Sequence, residues 1–459
     1  MTEQTLTSGY KALRSRDLKD AHDLFKGIVN NPKNGKERYE ALIGLSITYR
    51  ELGDMDEALD TGKKAVASYQ YPKLALFNLG NFYEEMGEHA LAIQNYDLSI
   101  TIDPNFSDAY INRGVAWFNL DKMNHAQRDF KNALQNDPGS SRAMADMGLT
   151  FLKDGRYEKA IDLFDLSLEE DPENIHSLCG KGLALFYMDR YDESVICFDA
   201  ALSINPDFYV AGYYKGHILK KLDLMDEAEE AIKEAIGSRE NYALAWFELG
   251  EIFRLKGDRE RALKSYEKAI KYRNETFEEA LFQKGMMLQS MNDWRGAIES
   301  FKSICKTNPY IPQVWVEMGK ALSMIPGKEN KAISSFKNGI YLKPSDPEGI
   351  YHLALLYLKQ GNRQKALGIL KDGMERTSDH RVMLLLSRTL FDLGMHKDAI
   401  NVSDDVIAKE PNAAQAWLIM GRSYGALGKT EEYKQCLRKY LHMNPEDAKV
   451  KREMESIGY

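Results

Sequence analysis

Residues 73–106 read KLALFNLGNFYEEMGEHALAIQNYDLSITIDPNF. Phe77, Leu79 and Tyr83 recur at helical spacing, and so do Ile93, Tyr96 and Ile100. Gly87 parts the two runs, where a helix end commonly turns through a left-handed residue. Pro104 follows the second run, where its ring and missing N–H oppose further helix. The stretch therefore predicts helix, short turn, helix and exit. Gly80 and Ala92 lack bulk, so the two helices can approach closely, and Tyr96 fills the space toward the next unit.

Outward from this stretch the same grammar continues. The small residue at Ala92 recurs as Ala21, Ala58, Ala126, Ala160, Ser194, Ala228, Ala262, Ala297, Ala332, Ala366 and Ala399, mostly 34 residues apart. One further step lands on Tyr433, the single bulky exception. A second small residue precedes most of these by twelve, as at Gly9, Gly80, Gly114, Gly148, Gly182, Gly216, Gly250, Gly285 and Gly421. Exit prolines stand at Pro104, Pro138, Pro172, Pro206, Pro309, Pro344, Pro411 and Pro445. Such a period is the mark of a repeat array, in which each unit buries its apolar face against its neighbours.

The pattern resembles the tetratricopeptide repeat: an aromatic, leucine-glycine, a tyrosine, an alanine, an aromatic, an alanine and a proline over 34 residues. The eighth repeat shows it with Trp246, Leu249, Gly250, Phe253, Gly257, Ala262, Tyr266 and Ala269. The resemblance implies an all-α, right-handed superhelical solenoid of about thirteen helical hairpins over residues 1–447, expected to be one continuous domain. Residues 448–459 place Val450, Met454 and Ile457 on one stripe among charges, as a capping helix requires. Gly62 and Ser403 stand where an aromatic is expected and predict looser packing there.

Composition narrows the function. Hydrophobic residues make up 44% of the 459, enough for a continuous core. The net charge of −8 lacks the basic excess of a nucleic-acid scaffold. No apolar run is long enough to span a bilayer, and the first twenty residues carry no apolar core of signal-peptide length, so a cytoplasmic protein is expected. Cys179, Cys197, Cys305 and Cys436 show no ligand spacing and read as reduced thiols.

The sequence offers no catalytic motif, and no cofactor is expected. GALGKT at 425–430 mimics the end of a phosphate loop, but the first glycine of that motif is replaced by Ser423 and no strand precedes it. The nine histidines show no zinc-ligand spacing on one helix face, and no nucleophile elbow occurs. The expectation is a non-catalytic scaffold or adaptor that binds an extended peptide or an amphipathic helix of another protein. The alternative is a regulatory or co-chaperone-like subunit that recruits an enzyme or chaperone to a client.

The resemblance places the first helix of each repeat on a concave groove, with positions two, five, six, nine and twelve facing inward. Two sites follow. In the middle, Tyr213, Tyr214, His217, Lys220 and Lys221 of repeat seven, with Phe247, Glu248, Glu251 and Arg254 of repeat eight, suit a charged peptide with a large side chain. Toward the C-terminus, Tyr351, Leu355, Leu384, Leu385, Leu418 and Ile419 predict an apolar strip for a partner helix or a second copy of this chain. One branch of the family clamps a partner's C-terminal carboxylate. Asn81, Asn112 and Arg142 fit that pattern, but Phe77 replaces a lysine and Asp146 an arginine, so the charge pairing fails.

Overall fold

The computed structural model describes residues 2–457, with side chains from residue 5 onward. Positions 458 and 459 of the capping segment lie outside the described residues. Among the described residues there are 27 helices and no strand. They pair as successive hairpins, from Thr2–Arg14 with Leu18–Asn30 to Ala414–Ala426 with Thr430–Met443, and Ala448–Glu455 closes the series. The chain is organised as two compact units, Met1–Glu240 and Asn241–Tyr459. The first unit holds hairpins one to seven, and the second holds eight to thirteen with the terminal helix.

Each hairpin turns through left-handed backbone. Glycine supplies it at eight turns, as at Gly87 with φ +76°, and Arg16, Asp121, Asp189, Asp223 and Asn292 do so with φ of 58° to 64°. In the third hairpin the Gly87 N–H donates to the Glu84 carbonyl and the Glu88 N–H to the Tyr83 carbonyl, so the helix end leaves few orphan acceptors.

The packing rests on rings set against missing side chains. A Cβ on Gly80 would stand 2.4 Å from the ring of Tyr96, which is fully buried. The same relation joins Gly114 to Phe130, Gly148 to Phe164, Gly182 to Phe198, Gly250 to Tyr266, Gly285 to Phe301 and Gly319 to Phe336. Phe164 also presses on Gly180 of the following hairpin, and Phe25 touches both Gly9 and Gly44. One ring therefore ties its own two helices together and fastens them to the next pair.

The positions that lack the ring are filled, not loose. Leu79 of the third hairpin lies 2.8 Å from where a Cβ on Gly62 would be. Ser403 is fully buried and hydrogen-bonded to Ser387 at 2.6 Å, while Ser387 Oγ also reaches the Ala399 carbonyl oxygen at 3.1 Å. Smaller residues draw the helices or the neighbouring repeat inward, which sequence spacing does not register. Tyr433 is accommodated because its ring lies over Gly425 and its hydroxyl donates to Glu453 of the terminal helix at 2.6 Å. That helix buries Val450 and Met454 against Leu418, Leu437 and Tyr440, with Ile457 beside them.

Within each unit the first helices of most successive hairpins touch. Lys73–Glu85 packs on Ser107–Asn119, which packs on Ser141–Lys153. In the second unit Glu278–Ser290 packs on Pro312–Ser323. No comparable contact joins successive second helices among the described residues. A curved stack brings its inner elements together, so the first helices line the inner face of each unit. No helix of the described residues is long and apolar enough to cross a membrane.

Candidate partner-binding surfaces

In the first unit, the helix Tyr209–Lys221 carries the predicted Tyr213, Tyr214, His217, Lys220 and Lys221. They do not stand alone. Tyr213 is 5.1 Å from Tyr214 and 6.2 Å from His217, and Tyr214 stacks on the buried Phe198 at 5.7 Å. His217 meets Phe186 edge-on at 5.6 Å, and Lys221 Nζ sits 5.8 Å from the Phe186 ring centre. Phe186 touches Tyr187, which is 55% exposed and stacks on Tyr157. A connected run of rings with a cation over it thus crosses hairpins five to seven. Sequence reading missed Phe186 and Tyr187, although Phe186 occupies a twelfth position, one of those assigned inward.

The residues of the failed carboxylate clamp form a polar ladder on the same unit's inner face. Tyr96 Oη donates to Asn81 Oδ1 at 2.8 Å, Asn112 Nδ2 donates to the same oxygen at 2.7 Å, and an Arg142 NH2 group donates to Asn112 Oδ1 at 2.7 Å. Arg142 Nε lies 3.7 Å from Asp146 Oδ2, which is occluded and accepts no hydrogen bond. Burial raises the Asp146 carboxyl to about 6, only partly offset by the Arg142 and His176 charges.

In the second unit, Phe247 packs between Tyr266 and Phe277, with ring centres 5.9 and 5.2 Å away. Glu248 is buried at 3% exposure and offers little to a partner. Glu251 accepts from the Tyr266 hydroxyl at 2.5 Å and pairs with Arg254 at 2.8 Å. The predicted set of hairpin eight is therefore largely committed to its own packing, with Arg254 exposed at its edge.

The C-terminal strip is shorter than the sequence suggests. Leu418 and Ile419 are buried, at 7% and 8% exposure, because the terminal helix and neighbouring hairpins cover them. Leu384, Leu385 and Tyr351 are half-buried against the core, and Leu355 is exposed. Beside them Glu348 accepts from Lys320 at 3.0 Å and Arg381 at 2.7 Å. Burial opposes ionisation of Glu348, but hydrogen bonds from Arg381 and Lys320 outweigh it and hold the carboxyl at about 2.

Family models described as tetratricopeptide repeat match residues 6–73, 74–106, 121–182, 175–208, 213–242, 243–275, 279–309 and 414–447. A model described as anaphase-promoting complex, cyclosome, subunit 3 matches residues 336–406. Among curated relatives, RNA polymerase II-associated protein 3 of Homo sapiens is 28% identical over 19% of this chain and 13% of its own length. The TPR repeat-containing protein MJ1428 of Methanocaldococcus jannaschii is 24% identical over 40% of this chain and 34% of its own. The chain thus spans about a third or less of these relatives. Among solved structures, a tetratricopeptide repeat protein from Parabacteroides merdae aligns with a TM-score of 0.45 at 21% identity, over 55% of this chain and 98% of that one. The anaphase-promoting complex hetero-tetramer Cut9–Hcn1 aligns with a TM-score of 0.41 at 14% identity, over 98% of this chain and 95% of that one.

Proposed function

The chain belongs to the tetratricopeptide-repeat family, and on that premise we propose that it is a non-catalytic scaffold holding segments of other proteins on its first-helix faces. The observation that carries this reading is the ring run Tyr157, Tyr187, Phe186, His217 and Tyr213, with Lys221 above it. Rings that are only partly buried and bear a cation give a partner large contact area at low entropic cost, the composition of interface anchors. The set Tyr213, Tyr214, His217, Lys220 and Lys221 belongs to this surface. Phe247, Glu251 and Arg254 form a weaker candidate in the second unit, and Tyr351, Leu355, Leu384 and Leu385 a third.

The test is purification from the native source with the wild-type chain and with Tyr187→Ala/Lys221→Glu. The partner that co-purifies in stoichiometric amount with wild type is lost with the double variant, while both chains melt at the same temperature. Undiminished recovery of that partner would remove the surface from the function. The match of residues 336–406 to a subunit family of an assembly favours a second reading, a structural subunit of a larger complex. Size-exclusion of the native material separates the two, because a subunit elutes only within a stable complex and an adaptor exchanges.

A further inference from the structure

A cavity of about 290 Å³ opens on the inner face of the second unit, between the first helices of hairpins nine and ten. Its apolar wall is Phe282, Ile304 and Ile311. Glu278 and Glu279 stand over it, with the amide side chains of Gln283 and Gln313. Glu279, Phe282 and Gln283 are the second, fifth and sixth positions of repeat nine, which the sequence assigns inward.

The charges decide what this hole takes. Neither Glu278 nor Glu279 forms an ion pair among the described residues, and Glu278 accepts only a long hydrogen bond of 3.3 Å from the neutral Asn308 amide. The neighbouring hollow, lined by Ile311, Glu317, Asp346 and Glu348, differs: Lys320, Lys343 and Arg381 already pair its carboxylates. Two carboxylates that lack an ion-pair partner, above a ring and aliphatic walls, match a side chain with an apolar stem and a flat, cationic head. A guanidinium meets carboxylates in a bidentate fork and stacks on an aromatic face, which an ammonium does less well.

We propose that this cavity is a recognition pocket for an arginine side chain of a partner protein. The stem lies along Ile311, with the fully buried Ile304 behind it, the guanidinium plane covers Phe282, and its N–H groups donate to Glu278 and Glu279. The amides of Gln283 and Gln313 supply remaining acceptors. This rests on the reading of the chain as a protein-binding scaffold, but its test needs no natural partner.

The full chain, carrying 13C in its isoleucine δ1 methyls, is titrated with Nα-acetyl-arginine N-methylamide, its citrulline analogue and its leucine analogue. The arginine probe shifts the Ile304 and Ile311 methyls saturably, with an affinity on the order of millimolar. Citrulline, equal in shape but neutral, binds at least about tenfold more weakly, as the loss of one charge-assisted pair requires. Glu279→Gln, an exposed change, gives the same loss for arginine and none for citrulline. The pocket is overturned if citrulline or leucine binds as well as arginine, if Glu279→Gln leaves arginine unaffected, or if neither methyl moves. Native co-purification can fail while this titration succeeds, and the reverse, so the two readings fail separately.

Discussion

Gly148→Ala probes the ring-and-socket packing directly. A Cβ there would lie 2.7 Å from Phe164 Cε1 and 3.0 Å from Cδ1 and Cζ, closer than carbon atoms tolerate. The ring has no room to retreat, because it is fully buried and already abuts Gly180 on its far side. Alanine gains about 1 kcal/mol of helix propensity over glycine, and overpacking a filled core costs about 1–3 kcal/mol. The expected net effect is a loss of about 1 kcal/mol, centred on hairpin five. Gly27→Ala supplies the control, since nothing lies within 4 Å of its Cβ. It should stabilise by about 0.5–1 kcal/mol through the same propensity term. Because repeat arrays need not unfold in one step, urea denaturation by circular dichroism is paired with amide exchange in hairpins five and six. Adding Phe164→Leu should abolish the Gly148→Ala penalty, leaving a coupling of at least about 1 kcal/mol. If Gly148→Ala stabilises as Gly27→Ala does, or if the double variant is additive, the sockets are not what sets helix approach.

Other substitutions separate core from surface and charge from shape. Ile419→Asp places an unpaired carboxylate in the core and should cost several kcal/mol, on the order of 3, while Leu355→Asp stays within about 1 kcal/mol; local exchange in hairpins eleven to thirteen reads both. Asp146 has a folded value near 6 against an ordinary 3.8, so the folded chain binds the extra proton between them. Stability should therefore fall by up to about 3 kcal/mol as pH rises through that window, and Asp146→Asn should remove the slope in denaturation series at pH 4.5 and 7.5. Glu348 behaves oppositely: its depressed value, about 2, gives stability that is present above about 4.5 and lost as pH falls toward 2, which Glu348→Gln abolishes in acid titrations. Arg16→Gly relieves a left-handed residue at φ +58° and should stabilise the first hairpin by about 0.5–1 kcal/mol in thermal melts.

The repeat fold was legible because its determinants are spaced along the chain. Gly80, Ala92, Tyr96 and Pro104 each state a local requirement, and their recurrence states the architecture. What replaces a missing determinant was not legible. The gap at Gly62 is closed by Leu79 from another hairpin, and the gap at Ser403 by a hydrogen bond to Ser387. The same limit governs the surfaces. Register placed Leu418 and Ile419 inward, but whether inward means exposed depends on how the terminal helix and the neighbouring hairpins cover them. Asn81, Asn112 and Arg142 do not complete a carboxylate clamp in sequence, yet they bond in series, because residues about 30 apart in the chain meet on neighbouring first helices. The division into two compact units carries no linker composition, so no sequence signal marks residue 240.

Phe164 belongs to hairpin five, but its sockets are Gly148 in that hairpin and Gly180 in the next. A cut at the conventional boundary near residue 174 would leave a ring without one wall and a hollow without its ring. The piece that could be duplicated or exchanged without such a scar starts elsewhere. It runs from the middle of one first helix, between two socket positions such as Gly180 and Gly182, past the ring of the second helix, to the matching point of the following first helix. Recombination that lengthens or shortens an array of this kind is therefore expected to tolerate breakpoints inside helices better than the turns between hairpins would suggest, and libraries of shuffled repeats can be built on that offset frame.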